Sequence, residues 1–203
     1  MAIKPILFNT EMVRAILDGR KTCTRRICKD ANECTVPDMD FYNADRRTYA
    51  VHNFADKKHT EKLSIAERTC PICPGDILYV RETWCALPVN EAGHMRGHSI
   101  YYYRADGDLR PEGWRGKWRP STQMPKEAAR IWLKVTDVRV ERLQDMTDDD
   151  AEAEGCFDYT STALGFPDVW DSTIKKSDLD SYGWSANPWV WVIEFERCEK
   201  PEA

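Results

Sequence analysis

The chain has 203 residues, of which 42% are hydrophobic and 31% are charged, and its net charge is −5. This balance is typical of a globular domain and excludes a disordered tail. The longest apolar run is Trp189–Ile193, which is too short for a membrane-spanning helix.

The first predicted elements are a short strand over 5–8 and an amphipathic helix over 10–18. Asn9 or Thr10 can cap the start of this helix, and Gly19 suits a left-handed residue at its end. The apolar residues of the segment fall on one helical face: Met12, Val13, Ile16 and Leu17. The run 21–27 is polar and β-branched, which predicts a strand after the turn.

The middle of the chain alternates polar stretches with strands. Residues 29–69 have few periodic apolar positions and are predicted to form an irregular insertion. The turn signal at 74–76 precedes a strand over 77–84. The Gly- and Pro-rich stretch 88–125 is a second predicted insertion, with one strand over 99–104.

The last third begins with a long alternating strand over 129–143, with a phase slip near Thr136 that suggests a bulge. Thr147 to Asp150 resembles a capping box that opens a short helix ending at Gly155. A further helix is predicted over 161–175 and a final strand over 189–197.

These elements predict the fold class. Several strands with a few short flanking helices, and no alternation of strand and helix, indicate a single α+β domain over 1–203. We expect a small, partly closed mixed β-barrel, with 29–69 and 88–125 as long loop insertions.

The charges are segregated along the chain. The segment 14–29 holds six basic residues against one Asp, whereas 145–154 holds six acidic residues and no basic one. Two solvated surfaces would explain these runs, and so would a local phosphate-binding patch on an otherwise acidic protein.

The most informative stretch is Gly19-Arg-Lys-Thr-Cys-Thr-Arg-Arg26. It resembles the Gly-x-Lys-x-x-Glu-x-Arg signature of the ASCH domain family, a branch of the PUA-like barrels. Thr24 replaces the glutamate of that signature, a departure shared with the small N4-acetylcytidine amidohydrolases. Together with 80–84 and 187–191, the chain is most similar to ASCH proteins of bacteriophages and prophages.

This resemblance implies a set of catalytic roles. Lys21 would be the general base, Thr24 the nucleophile and Glu154 the acid that protonates the leaving amine, without a cofactor. The local charges agree with these roles. Arg20, Arg25 and Arg26 disfavour a protonated amine at Lys21, while a helix end and neighbouring carboxylates favour a protonated Glu154.

One geometric condition follows from strand alternation. Lys21 and Thr24 would point to opposite faces of a regular strand, so they can act together only if Lys21 lies in the turn before the strand. The alternative is that Lys21 and the arginines hold a phosphate or pair with the acidic helix.

The remaining candidates concern binding. Rings and basic residues interleave at 101–104 and 114–119, a pattern that suits stacking on single-stranded RNA. Trp114 and Trp118 are therefore predicted to bind substrate or RNA together with Arg20, Arg25 and Arg26. Trp84 is also predicted to bind substrate or RNA, although its position in a strand pattern favours a place in the hydrophobic core. The alternative function is thus a non-catalytic module that binds RNA or a modified nucleotide.

The cysteines and the N-terminus complete the predictions. Cys70-x-x-Cys73 lacks a second tight pair, so reduced thiols are favoured over a zinc site and no metal is predicted. The N-terminus carries no apolar leader, so we expect a cytoplasmic protein without a membrane partner. A nucleoside or single-stranded RNA is the expected partner.

Overall fold

The computed structural model describes residues 1–29, 48–53, 64–69, 71–88, 99–113, 116–156 and 165–202. The strands in these ranges are β1 (Ile3–Leu7), β2 (Cys23–Ile27), β3 (Thr48–Asn53), β4 (Ser64–Thr69), β5 (Ile77–Arg81), β6 (Trp84–Pro88), β7 (Ser99–Tyr103), β8 (Trp132–Arg142) and β9 (Trp189–Cys198). The α-helices are α1 (Thr10–Leu17), α2 (Asp148–Ala153), α3 (Phe166–Thr173) and α4 (Leu179–Tyr182). None of the helices described is long and apolar enough to cross a bilayer.

The main sheet has five strands in the order β1-β5-β8-β9-β2. β1 runs parallel to β5, whereas the β5–β8 and β2–β9 pairs are antiparallel. The predicted α+β class with a mixed sheet is confirmed. The predicted barrel is not formed within the described strands, because β1 and β2 lie at opposite edges of an open sheet.

The chain divides into two compact units. Unit 1 comprises Met1–Lys21, Gly75–Lys134 and Glu196–Ala203, and unit 2 comprises Thr22–Pro74 and Val135–Phe195. β8 and β9 contribute residues to both units.

Unit 1 has an aromatic core and an anchored first strand. Its core cluster includes Trp84, Met124 and Trp132. The carboxylate of Asp76 is fully buried and accepts hydrogen bonds from the Ala2 backbone N–H at 2.8 Å and from Lys4 Nζ at 2.9 Å. A buried carboxylate needs such partners, so these bonds anchor β1 beside β5.

Unit 2 is packed around α3 and the start of β9. Its core cluster is formed by Leu143, Met146, Ala151, Cys156, Phe166, Trp170, Val190 and Val192. The Phe166 ring meets the Trp184 ring edge-on at 6.1 Å between centroids, an arrangement that adds to simple burial.

The local signals at the helix ends are confirmed. Asn9 Oδ1 accepts the Met12 N–H at 2.9 Å, and Gly19 follows α1 with φ of +77°. The capping box of α2 forms between Thr147 and Asp150, and Gly155 follows the helix with φ of +87°. Both glycines adopt the left-handed conformation that favours this residue.

Three segments differ from their predictions. The insertion 29–69 is not irregular throughout, because it contains the antiparallel hairpin of β3 and β4. The strand predicted over 77–84 ends at Arg81. A separate strand, β6, begins at Trp84, which pairs with Tyr103 of β7 and also forms an isolated bridge with Arg119. The helix predicted over 161–175 begins at Phe166 and ends at Thr173; 161–164 lie outside the described residues.

Candidate active site

Strand β2 carries polar side chains into the interior of unit 2. It pairs with β9 in a register that sets Thr24 opposite Ile193, and Thr24 and Arg25 are 1% and 2% exposed. Successive residues of a strand face opposite ways, so Thr24 and Arg26 share one face and Cys23 and Arg25 the other. The side-chain contacts follow this alternation.

On the first face, Arg26 reaches back over Thr24. Its Nη1 donates a hydrogen bond to Thr24 Oγ1 at 2.9 Å and another to the Arg25 carbonyl oxygen at 3.0 Å. Thr24 is buried while the Arg26 side chain is exposed along part of its length. The hydroxyl thus lies beneath a cation.

On the second face, the Arg25 guanidinium meets three carboxylates. It lies 3.1 Å from Asp150, 3.5 Å from Glu154 and 3.7 Å from Glu141. Burial alone would lower the pKa of Arg25, but the charges of Glu154 and Asp150, with that of Cys23, outweigh it and raise the pKa. Arg25 therefore stays charged while fully enclosed.

Helix α2 presents two of these carboxylates because of its period. Asp150 and Glu154 are four positions apart and so lie on the same helical face. Burial alone would raise the pKa of Asp150, but hydrogen bonds from the Thr147 N–H and hydroxyl, with the Arg25 cation, lower it. Asp150 therefore belongs both to the helix cap and to the charged cluster.

A second arginine, Arg139 of β8, borders this cluster. It lies 3.8 Å from Asp150 and also pairs with Glu141 and Glu194. Burial alone would lower the pKa of Arg139, but hydrogen bonds to Glu141 and Glu194 raise it. Because its side chain is 35% exposed, Arg139 is a solvated edge of the cluster.

Backbone hydrogen bonds hold β2 against the end of α2. The Thr22 N–H donates to the Ala153 carbonyl at 2.8 Å, and the Phe195 N–H donates to the Thr22 carbonyl at 2.9 Å. Glu154, the residue after Ala153, is 5% exposed. The end of the acidic helix is therefore held beside the start of β2 within unit 2.

Lys21 lies in the turn that precedes β2. Its backbone N–H donates to the Ala15 carbonyl at 3.0 Å, and β2 begins only at Cys23. The side chain is 3% exposed and its Nζ lies 5.5 Å from the centroid of the Phe8 ring. The condition that Lys21 must precede the regular strand is therefore met.

The predicted binding residues outside β2 have surroundings that differ from one residue to the next. Arg20 pairs with Asp18 at 2.9 Å. Trp84 is 3% exposed, with its ring beside Tyr101 and under Arg119, so it offers no open face to a base. The Trp118 ring is half-buried beside Arg104 and Arg110, and Trp114 lies outside the described residues.

The structure describes only three of the five cysteines that could contribute to a zinc site. Cys23, Cys28 and Cys73 are buried thiols, whereas Cys34 and Cys70 lie outside the described residues. No group of three His, Cys, Asp or Glu side chains among the described residues is arranged to hold a metal ion.

Sequence reasoning did not find a second charged cluster, which lies in unit 1. Glu82 is 1% exposed, and both its oxygens accept hydrogen bonds from Arg130, at 2.9 and 3.1 Å. Arg130 also binds Asp106 at 2.7 Å and lies over the Tyr103 ring. Burial raises the pKa of Glu82 and raises that of Tyr103 to about 12. The polar groups in this cluster are paired, which indicates a structural role.

Comparison with known proteins gives one structural similarity. No protein-family model matches the chain, and no curated protein matches it significantly. The crystal structure of an ASCH domain from Lactobacillus crispatus JV V101 is similar with a TM-score of 0.46 and 10% sequence identity. The similarity covers 97% of this chain and 79% of that chain.

Proposed function

We propose that the protein is an amidohydrolase that acts on an N-acylated cytosine nucleoside or a related modified pyrimidine. One observation carries the proposal. The described residues include six buried polar or charged residues, and three of them are Lys21, Thr24 and Glu154. Burial of such groups is costly, and functional sites are among the places where proteins retain it.

The first half of the proposed reaction forms an acyl-enzyme. The neutral amine of Lys21 takes the hydroxyl proton of Thr24, and Oγ1 adds to the acyl carbonyl carbon. The tetrahedral intermediate collapses with cleavage of the carbon–nitrogen bond. Glu154 gives its proton to the exocyclic nitrogen from its protonated form, not from the ionised form that pairs with Arg25. The free nucleoside leaves, and the acyl group remains on Thr24.

The second half returns the enzyme to its starting state. Water adds to the ester carbonyl while the Glu154 carboxylate takes one of its protons. The carbon–oxygen bond to Thr24 breaks, and the Lys21 ammonium returns a proton to Oγ1. The sum is one amide and one water converted to one amine and one carboxylic acid.

Hydrolysis of N4-acetylcytidine tests this proposal. Thr24→Val, Lys21→Ala and Glu154→Gln are each expected to lower kcat/KM by about 1,000-fold or more, because each removes a group that acts in the chemical step. Thr22→Val is the matched control, since Thr22 is an exposed threonine two positions away. Equal rates in Thr24→Val and Thr22→Val would overturn the proposal.

A second candidate function, single-stranded RNA binding, is favoured by contacts in unit 1. The Arg104 and Arg110 guanidinium groups lie 5.4 and 4.6 Å from the Trp118 ring centroid. Arg104, Lys117 and Arg119 are exposed in the same segment. Exposed guanidinium groups held by rings can stack on bases while neighbouring cations contact phosphates.

Fluorescence anisotropy with labelled oligouridine tests this second candidate. Affinity should fall steeply between about 50 and about 200 mM salt, and Lys117→Ala should weaken binding and flatten the salt slope. Lys134→Ala is the control, because Lys134 is an exposed lysine of the same unit that pairs with Glu196. The candidate function would be contradicted if the affinity for oligouridine did not change with salt concentration. It would also be contradicted if Lys117→Ala and Lys134→Ala weakened binding equally.

A further inference from the structure

We infer that Arg26 is a catalytic residue that activates the Thr24 hydroxyl by donating a hydrogen bond to the oxygen that becomes the nucleophile. The inference rests on the proposed role of Thr24 in forming an acyl-enzyme. It differs from the expectation that Arg26 binds substrate or RNA.

The geometry of β2 places the donor where this role requires it. Arg26 and Thr24 are two positions apart on one strand face, and Nη1 lies 2.9 Å from Oγ1. The same nitrogen lies 3.0 Å from the Arg25 carbonyl oxygen, so the guanidinium is anchored to the backbone of its own strand. A donor held in this way needs no rearrangement when charge develops on Oγ1.

Burial of Thr24 increases the effect of this hydrogen bond. The Thr24 residue is 1% exposed, so little water competes for its oxygen. An ionic donor in such surroundings stabilises a developing alkoxide more strongly than it stabilises a neutral hydroxyl. The contact therefore lowers the barrier to removal of the hydroxyl proton.

The chemistry of arginine separates its role from that of Lys21. A guanidinium stays protonated in proteins, so Arg26 cannot accept the Thr24 proton and serves as a fixed positive donor. Lys21 remains the group that takes the proton. Because Thr24 Oγ1 is the attacking atom in acylation and the leaving atom in deacylation, Arg26 stabilises the same charge in both halves of the reaction.

Acylation of Thr24 by p-nitrophenyl acetate tests the inference without the nucleoside substrate. In this step Oγ1 forms a bond to the acetyl carbon and p-nitrophenolate leaves. Intact-mass measurement follows the gain of one acetyl group, peptide mapping assigns it to Thr24, and Thr24→Val defines the background.

Arg26→Ala should slow acylation of Thr24 by about 100-fold, the usual loss when one donor to a developing oxyanion is removed. Added guanidinium ion should restore part of the rate, which a purely structural defect would not allow. Arg142→Ala is the matched control, because Arg142 also donates a hydrogen bond to a backbone carbonyl, that of Asn187. Thr24 of this variant should be acylated at the wild-type rate. Should Arg26→Ala fail to fold, Arg26→Lys takes its place with an expected loss of about tenfold, since one ammonium replaces the fork.

The outcomes separate this inference from the proposed function. Acylation of Thr24 that depends on Arg26, without hydrolysis of N4-acetylcytidine, would support the inference and contradict the proposed substrate class. If Arg26→Ala hydrolyses N4-acetylcytidine at a rate within about threefold of the wild type, the proposed function is supported and the inference is overturned. The inference would also be overturned if wild-type Thr24 gained no acetyl group and the wild type released p-nitrophenolate no faster than Thr24→Val.

Discussion

Arg25 explains how a polar strand lies inside unit 2. An unpaired charge is expensive to bury, but Arg25 has carboxylates from α2 and β8 within 3.1 to 3.7 Å. The net effect of those carboxylates raises its pKa despite burial. The charged residues of β2 suggested a solvated surface when only the sequence was considered. In the structure, pairing with carboxylates stabilises Arg25 in the interior of unit 2.

Removal of this cation should be costly. Arg25→Met leaves Asp150 and Glu154 next to an apolar side chain, so we expect the free energy of unfolding to fall by about 3–5 kcal/mol. Urea unfolding followed by tryptophan fluorescence measures the change.

Arg139→Met is the comparison for this variant. Arg139 also pairs with Asp150 and Glu141 but is 35% exposed, so its loss should cost about 1 kcal/mol or less. If Arg25→Met and Arg139→Met lower the free energy of unfolding equally, the buried ion pairs of Arg25 are no more stabilising than the exposed pairs of Arg139, and the prediction is wrong.

Sequence reasoning selected candidate-site residues in β2 and at the end of α2, but selected none in β8. Thr24 and Glu154 were predicted because they match a known motif and a helix end. Glu141 and Arg139 were missed, because alternation in β8 places them on one face but says nothing about which strand or helix they meet. Contacts between residues so far apart in the chain depend on the fold.

At the scale of elements, α2 combines a helix cap with an ion pair. Asp150 Oδ2 accepts hydrogen bonds from the Thr147 N–H at 2.9 Å and the Thr147 hydroxyl at 2.8 Å, and its other oxygen lies 3.1 Å from Arg25. The start of the acidic helix is therefore coupled to strand β2. A weaker cap would loosen the helix that carries Glu154.

This coupling predicts a dependence of stability on pH. Burial alone would raise the pKa of Asp150, but Thr147 and Arg25 lower it in the folded protein. Its contribution is therefore present above the unfolded pKa of about 3.9 and is lost as the pH falls through the lower folded value. Relative to the wild type, Asp150→Asn should be less stable by about 1–2 kcal/mol near neutral pH, and the difference should shrink below about pH 4.

Chemical unfolding across this pH range measures the difference. Asp148→Asn is the control, because it also removes a carboxylate from the first turn of α2. A difference between Asp150→Asn and the wild type that does not change with pH would contradict the role given to the ionised carboxylate.

Elements with strong local signals were predicted well. The caps at Asn9 and Thr147 depend on side chains within one turn, and the structure confirms both. The strand predicted over 77–84 ended at Arg81, because the Glu82 backbone N–H donates to Met124 Sδ, a partner far along the chain, and not to a neighbouring strand. The hairpin of β3 and β4 was missed because its residues lack an apolar alternation.

At the scale of the whole molecule, the class of fold was predictable and its connectivity was not. Short helices and several strands indicated an α+β chain, but neighbouring strands in the sheet are mostly distant in sequence. The parallel pair of β1 and β5 spans Leu7 to Ile77, so no turn signal between adjacent segments could reveal it. A partly closed barrel was expected from the pattern of several strands and few short helices, but the described strands form an open sheet.

The pairing of β2 with β9 has a consequence for synthesis on the ribosome. Cys23 leaves the ribosome well before its partner Glu194, because β2 precedes β9 in the chain. Strand β2 must therefore remain unpaired, with its threonine and arginines still hydrated, until β9 has been translated. A nascent chain that stops before β9 lacks the strand that pairs with the candidate nucleophile, so the chemistry proposed for Thr24 would begin only after β9 has emerged.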